Sequence, residues 1–255
     1  VLVGGDAPNV SNVVTWTVYP ATFVVATADR TAITGALDAA ASYTATHPGP
    51  ALVTFSRPAF PPIGGSVDVL PGCVSNTCQP GGDAALCITG DRIVVDGLDA
   101  NGAAGAVVLA VGTCQSRLVR LFGRDVVLRG LVFRGSRFAV PDPAPNDCNQ
   151  VDTVDVLGAT ALRNRLEQCI VEGPTCGDAV AVEDGAGQPG AEVMIVDSTL
   201  RGAEDRGLKV STRAHAMLVA SCVADNDGGG VQATQGGHVT AVHNLVQRNL
   251  GAKNG

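Results

Sequence analysis

The chain has 255 residues, a formal net charge of −7 and a sequence pI near 5.0. Hydrophobic residues make up 45% and charged residues 16%, which excludes a disordered chain and supplies enough apolar material for a core. The acidic balance excludes a general nucleic-acid binder, because phosphate contacts need an excess of Lys and Arg. No stretch approaches the roughly 18 continuous apolar residues of a membrane span.

The first 50 residues predict a strand followed by an amphipathic helix. In the segment ADRTAITGALDAAASYTATHPGP, one helical stripe contains Ile33, Leu37, Ala40 and Ala41. Asp29 is a suitable N-cap and HPGP stops the helix. Since the first coil of a stacked fold exposes an apolar cross-section, we expect this helix to cap it.

Eight cysteines, several of them in loops rich in Gly, Pro and Asn, indicate disulfides and an oxidising compartment. A zinc site is less favoured, because no CxxC pair and no nearby His supports it. Cys169 and Cys222 lie in apolar strand patterns and could equally be buried free thiols. The preferred bridges are Cys73–Cys78 and Cys148–Cys176. Because the chain begins with Val and shows no leader, we expect that a signal peptide has been removed.

A recurring block occupies the middle and the end of the chain. Segments such as RIVVDGLDANG, EVMIVDSTLRG and VTAVHNLVQRN each hold an apolar strand, a small or polar pair, a second short strand and a turn. Three sets of apolar positions align: Val171, Leu200, Val223 and Val246; Val154, Val180, Leu208 and Val231; Val156, Val182, Val210 and Ala233. The intervals in the first set are 29, 23 and 23 residues.

The repeat predicts a stack of parallel coils. A coil of about 22 residues cannot bury its apolar side alone, whereas stacking buries a continuous column of Val, Leu and Ile. A β-sandwich or propeller is less favoured, because the step is too short for a four-stranded blade and sandwiches do not repeat their pattern. Asn226, Asn244 and Asn249 lie at or near turns, where Asn tolerates left-handed backbone and can bond its neighbours.

Several of these segments resemble the pectate-lyase-like superfamily. TAITGALDAAA…PALVTF resembles its cap helix and first strand, ITGDRIVVDGLDANG and GRDVVLRGLVFRGS its early coils, and GDAVAVEDGA and NDGGGVQATQGGHVTAVHNLVQRN its later ones. The resemblance implies an all-β, right-handed, single-stranded parallel β-helix, secreted or on the cell surface. We expect one domain over 1–255, with the N-terminal strand and cap helix in 1–50 and stacked coils in 51–255. Superfamily members include lyases, hydrolases, epimerases and noncatalytic surface proteins.

Polar residues alternate with the inward Val and Leu and must therefore face outward. Asp155, Ala181, Lys209 and Gln232 form one predicted outward column, with neighbours about 4.8 Å apart. Glu183, Ser211 and Thr234 form a second column, and Asp152, Asp178 and Arg206 occupy the preceding turns. The pattern predicts a solvent-facing groove that combines several carboxylates with one Lys and one Arg.

The resemblance implies that such a groove performs β-elimination on an acidic, uronic-acid polysaccharide or another cell-surface glycan. The expected roles are Lys209 as base, Arg206 as stabiliser of the developing charge, and Asp155, Asp178 and Glu183 as ligands of Ca²⁺. Gln232, Glu183 and Arg213 would contact substrate. In the simpler alternative, Lys209 only pairs with Asp155 or Glu183 across strands, and a carboxylate beside it would keep its amine protonated. No RxPxxR-type signature and no hydrolase-type Asp-Asp pair is present.

The last coil suggests a rival function. It presents apolar Val239, Val242, Leu245 and Val246, and an uncovered stack end invites association. Three explanations are open: the stack continues into more coils, the end docks against another chain, or the cap helix is all the protection there is. Docking would make the protein a noncatalytic structural or adhesive β-helix that assembles end to end.

Overall fold

A computed structural model of the protein describes residues 21–56, 60, 67–69, 77–78, 82–98, 104–105, 107–114, 116–137, 151–184 and 190–251. Within them the chain forms one helix, α1 (Arg30–Thr46), and 22 strands. The first eleven are β1 (Ala21–Val25), β2 (Ala51–Phe55), β3 (Val67–Asp68), β4 (Thr77–Cys78), β5 (Gly82–Ile88), β6 (Ile93–Asp96), β7 (Val107–Ala110), β8 (Arg117–Leu121), β9 (Val127–Arg129), β10 (Leu131–Arg134) and β11 (Val154–Leu157). The others are β12 (Asn164–Glu167), β13 (Ile170–Glu172), β14 (Val180–Glu183), β15 (Glu192–Val196), β16 (Thr199–Arg201), β17 (Arg206–Ser211), β18 (His215–Val219), β19 (Cys222–Ala224), β20 (Gly229–Thr234), β21 (His238–Val242) and β22 (Leu245–Gln247).

The strands form three sheets wound around one core. The first sheet has the order β1-β2-β6-β9-β12-β15-β18-β21, the second β3-β7-β10-β13-β16-β19-β22 and the third β4-β5-β8-β11-β14-β17-β20. From β5 onward the chain visits the third, first and second sheets in turn. Among the described strands every pairing is parallel except that of β4 with β5. This is the topology of a parallel β-helix, and the predicted fold class is confirmed.

The predicted columns are the observed register of the sheets. Val171 pairs with Leu200, Leu200 with Val223 and Val223 with Val246. The column of Val154, Val180, Leu208 and Val231 and that of Val156, Val182, Val210 and Ala233 are also paired as predicted. The inward Val, Leu and Ile side chains join one continuous buried cluster. Stacking of successive coils therefore buries apolar side chains that a single coil would leave exposed.

Helix α1 caps the start of this cluster. Its N-cap is Asp29, whose Oδ1 accepts a hydrogen bond from the Ala32 backbone N–H at 2.9 Å. Ile33, Leu37 and Ala40 are buried and belong to the same cluster as the strands, which confirms the predicted stripe and the capping role. Ala41 is only half-buried; Thr44 completes the stripe instead.

The turns between the first and second sheets hold ladders of polar side chains. Ser221 Oγ accepts from the Ser198 backbone N–H at 3.1 Å, and Asn244 Oδ1 accepts from that of Ser221 at 2.8 Å. Asn244 has no positive φ; the left-handed residue is the preceding His243, with φ 55°. The turn Asn side chains thus bond their neighbours as expected. The left-handed backbone conformation, however, belongs to the residue that precedes the Asn.

The cysteines divide into bonded and free groups. Cys87, Cys114 and Cys176 are disulfide-bonded, whereas Cys169 and Cys222 carry free thiols. Burial raises the pKa of the Cys169 thiol to about 12, so it stays protonated and unreactive. Cys73 and Cys148 and the side chain of Cys78 lie outside the described part of the chain, so the bridges Cys73–Cys78 and Cys148–Cys176 stay predictions.

The last described coil, residues 229–251, leaves its inward face uncovered by the rest of the described chain. Val246 is 54% exposed, whereas Val223, which takes the same position one coil earlier, is fully buried. Except for Val24, all the large apolar side chains exposed within the described residues lie in this coil: Val231, Val242, Leu245, Val246 and Leu250. Strands β20, β21 and β22 pair on one side only among these residues.

Candidate functional site

The predicted outward column exists on the third sheet. Asp155 pairs with Ala181, Ala181 with Lys209 and Lys209 with Gln232. Arg120 on β8 extends the column beyond Asp155. The residues that sequence reasoning placed together are therefore neighbours in space, although their roles stay predictions.

Four charged side chains lie around Lys209, and we refer to them together with Lys209 as the Lys209 cluster: Asp178, Glu183, Asp205, Arg206 and Lys209. Lys209 Nζ lies 3.1 Å from Glu183 Oε1 and 3.9 Å from Asp178 Oδ2. Arg206 Nη1 contacts Asp205 Oδ2 and lies 3.6 Å from Asp178 Oδ1, which also accepts from the Arg206 backbone N–H at 3.0 Å. Two cations thus face the carboxyl of Asp178.

Burial and neighbouring charges give Asp178 and Lys209 different protonation behaviour. The pKa of the Asp178 carboxyl is raised to about 7 by burial and by the charge of Asp205, against the opposing effect of Lys209 and Arg206. Burial by itself lowers the pKa of the Lys209 amine, but Glu183 and Asp178 outweigh it and raise that pKa. Lys209 is therefore a cation at neutral pH, and Asp178 exchanges its proton near neutrality.

A second group, the Arg120 cluster of Arg117, Arg120, Asp152 and Asp155, lies beside it. Arg120 donates to Asp155 Oδ2 from Nε at 2.7 Å and from Nη2 at 2.6 Å. Arg117 Nε lies 3.2 Å from the same oxygen. The pKa values of both Asp152 and Asp155 are raised, mainly by burial. The backbone N–H of Asp178 donates to Asp152 Oδ1 at 3.0 Å, which links the two clusters.

The groove is less open than the sequence predicts. Asp178 is fully buried and Asp155 is 2% exposed, so neither is solvent-facing; this expectation was wrong. A buried guanidinium, Arg120, neutralises Asp155 and allows a charged group on an outward strand position to be covered. The solvent-accessible part of the Lys209 cluster consists of Lys209, Arg206, Asp205 and Glu183, all partly exposed.

The remaining predicted residues lie around this accessible part. Ser211 Oγ donates to Glu183 Oε1 at 3.2 Å, so the second predicted column is also in contact. Arg213 is 58% exposed at the side chain and forms an ion pair with Asp184 at 3.0 Å. Gln232 is half-buried on β20, one coil beyond Lys209. Arg213 and Gln232 can therefore border a ligand that lies over Lys209.

The expected calcium ligands do not fit a calcium ion in this arrangement. The Lys209 ammonium lies between the carboxylates of Glu183 and Asp178, and the guanidinium groups of Arg117 and Arg120 hold Asp155. Within the described residues, no group of three or more His, Cys, Asp or Glu side chains could hold a metal ion. We therefore assign no chemistry to a metal.

Sequence reasoning missed two partners of Asp155, the half-buried Arg117 and the buried Arg120. The signal was present, because Arg120 alternates with Val119 and Leu121, which face inward. However, Arg120 and Asp155 are 35 positions apart, whereas later neighbours follow at 23, and the long interval hides the register. Two buried side-chain oxygens remain without a hydrogen-bond partner in the described part of the chain, Asp155 Oδ1 and Asp178 Oδ2.

These observations define a parallel β-helix with a half-buried acid–base cluster on the outer face of its third sheet. No family model, curated protein or solved structure matches this chain. Among the residues that the structure describes, no helix combines the length and apolar character needed to cross a membrane.

Proposed function

We propose that this protein is an extracellular, polysaccharide-active β-helix protein that cleaves uronic-acid polymers by β-elimination at the Lys209 cluster. The observation that carries the proposal is the buried Asp178 carboxyl, whose pKa is raised to about 7, next to two cations that reach the surface. The bonded cysteines support an oxidising compartment. The resemblance of several coils to the pectate-lyase-like superfamily supports the substrate class.

The proposal exchanges the roles that the sequence suggests. Lys209 is too poor a base, because the charges of Glu183 and Asp178 raise the pKa of its amine and keep it protonated. Its ammonium and the Arg206 guanidinium instead bind the substrate carboxylate, which makes the neighbouring C5 proton more acidic. Asp178 is the better base, since a general base works best when its pKa lies near the operating pH.

The reaction breaks two bonds and forms one double bond. Asp178 Oδ2, which lacks a hydrogen-bond partner among the described residues, takes the proton from C5. The electron pair of the C5–H bond forms the C4=C5 double bond, the C4–O bond breaks, and water protonates the leaving oxygen. Asp178 is buried beneath the Lys209 side chain, which is 21% exposed. The mechanism therefore requires Lys209 to move toward the substrate, so that Asp178 becomes accessible to the C5 proton.

The test is incubation with polygalacturonate, alginate and glycosaminoglycans at pH values on both sides of 7, with calcium and with a chelator. We expect new reducing ends together with ultraviolet absorbance from the unsaturated product, and activity that persists in the chelator. Asp178→Asn should abolish activity and Lys209→Met should raise KM. The matched control is Arg201→Ala, which removes an Arg–Glu172 ion pair on the second sheet and should change neither value.

Reducing ends without ultraviolet absorbance would mean hydrolysis and would overturn the elimination step. Full activity in Asp178→Asn would overturn the assignment of the base. No cleavage and no binding of any of these polymers would overturn the function and favour the second candidate.

The second candidate is end-to-end assembly through the last described coil, with a second copy of this chain as the occupant. One observation favours it: Val231, Val246 and Leu250 expose apolar surface beside three strand edges that are unpaired within the described residues. No Asp or Glu occurs in residues 229–251, so two copies of this face meet without carboxylate repulsion.

Sedimentation velocity over a range of protein concentrations tests this candidate. We expect a concentration-dependent larger species that Val246→Lys abolishes, because the substitution puts a charge in the apolar face. Val24→Lys, at an exposed Val in the first strand, is the matched control and should associate like the parent protein. A monomer at every concentration would exclude self-assembly.

A further inference from the structure

A groove of about 290 Å³ lies on the outer face of the first sheet, away from the third sheet and its Lys209 cluster. Strands β12, β15 and β18 form its base. Its lining combines apolar and polar side chains: Arg163, Asn164, Arg165, Glu192, Val193, Met194, His215 and Met217. Neither the proposed cleavage nor end-to-end assembly uses it.

Both methionines of the chain form the floor of this groove. Met194 pairs in register with Met217 one coil later. Val193 and Ile195, on either side of Met194, are buried, so Met194 faces outward and is half-buried. Two adjacent thioethers form a flexible, polarisable surface that suits an aromatic ring or another flat apolar body.

Both arginines of the groove are paired with carboxylates, whereas the carboxylate of Glu192 has no close partner among the described residues. Arg163 donates to both carboxylate oxygens of Asp125, at 2.7 and 2.6 Å, and Arg165 lies 2.6 Å from Glu167. Glu192 influences Arg163 at a distance, but among the described residues its carboxylate makes no hydrogen bond or ion pair. Its register neighbour is His215, whose ring contacts that of His238 at 5.3 Å. The groove therefore complements a cation.

We propose that this groove binds a small organic cation with an aromatic body, such as an arylalkylamine. The ring lies on Met194 and Met217, and the ammonium group lies beside Glu192. A volume of about 290 Å³ accommodates one ring and a short chain. The protein's net charge of −7 adds a long-range attraction for cations.

The two methionines make a direct test possible. Protein labelled with ¹³C at the methionine methyl groups gives two methyl signals, and both belong to the groove. We expect 2-phenylethylamine to shift both signals saturably through the ring current, whereas 3-phenylpropionate, with a similar body and the opposite charge, leaves them unchanged. Glu192→Gln should weaken binding of the amine about tenfold, because a charge-assisted contact is lost.

The control variant is Asp227→Asn, which removes an exposed carboxylate that lies outside the groove lining and should leave the affinity unchanged. Ethylamine, which has no ring, should bind far more weakly than 2-phenylethylamine. The proposal is overturned if the amine produces no saturable shift, if 3-phenylpropionate binds as well, or if Glu192→Gln binds with parental affinity. Equal effects of ethylamine and 2-phenylethylamine would indicate general cation binding and would also overturn it.

Discussion

At the scale of single residues, the buried carboxyl of Asp178 makes stability depend on pH. In the unfolded chain an Asp ionises near 3.8, whereas in the folded protein burial and Asp205 raise the pKa of Asp178 to about 7. Between these pH values the folded state holds a proton that the unfolded state has lost. The contribution of Asp178 to the free energy of unfolding therefore falls as pH rises from about 4 to about 7 and stays low above that.

Replacing Asp178 by Asn removes this titration but keeps an oxygen that can accept from the Arg206 backbone N–H. We expect the free energy of unfolding of Asp178→Asn, relative to the parent, to increase by about 3 kcal/mol between pH 4.5 and pH 8. Urea unfolding at a series of pH values measures it. Asp225→Asn should show almost no change over this range, because its hydrogen bond to Arg248 lowers the pKa of Asp225 below 3.8 and the carboxyl is ionised in both states above about pH 5. A flat difference for Asp178→Asn would mean that the folded carboxyl is already ionised.

The same residues show how far sequence reasoning reaches into the site. Alternation along β11, β14 and β17 is sufficient to place Asp155, Ala181 and Lys209 in one column, because the strand period is two and the flanking Val and Leu residues of the three strands align. The burial of Asp155 does not follow from alternation. It depends on Arg120, which enters the column across an interval of 35 positions.

At the scale of elements, the spacing between stacked coils leaves no room for side chains at certain corners. A Cβ at Gly123, just after β8, would lie 2.0 Å from the carbonyl oxygen of Gly90 in the preceding coil. We expect Gly123→Ala to destabilise the fold by about 1–3 kcal/mol, because backbone would have to move apart. The shift of the urea midpoint at unchanged m-value measures this.

Gly35 in α1 provides the matched substitution, since nothing lies within 4 Å of a Cβ placed there. Gly35→Ala should stabilise the protein by about 0.5–1 kcal/mol through helix propensity alone. If both glycine variants shifted the midpoint in the same direction, the close approach of coils at Gly123 would not be the cause.

The element boundaries follow from local chemistry to different degrees. The start of α1 is predictable, because Asp29 is a strong N-cap. The positions of the left-handed turn residues are less predictable from the sequence. Residues such as Ala220 and Arg248 adopt positive φ because the register of the stack imposes it, with no preference of their own for that backbone.

At the scale of the whole molecule, each coil contacts only its neighbours, so stability varies along the stack. Coils in the middle have strand partners and covered apolar side chains on both sides. Within the described residues, the coil 229–251 has strand partners on one side only, and its apolar side chains Val246 and Leu250 are exposed. We expect hydrogen exchange to be fastest in residues 229–251 and slower in 151–184. Mass spectrometry of proteolytic peptides after deuterium exposure measures this gradient.

A variant at the uncovered end separates local from global opening. Asn249 accepts from the backbone N–H of Asn226 at 3.1 Å and donates to the Val223 carbonyl at 2.9 Å. Asn249→Ala should therefore speed exchange in the last coil and at Asn226 while leaving 151–184 unchanged. Equal acceleration throughout would mean that the stack opens as one unit. Protection of 229–251 that grows with protein concentration would instead show the end covered by a second copy, because association protects only the amides that it buries.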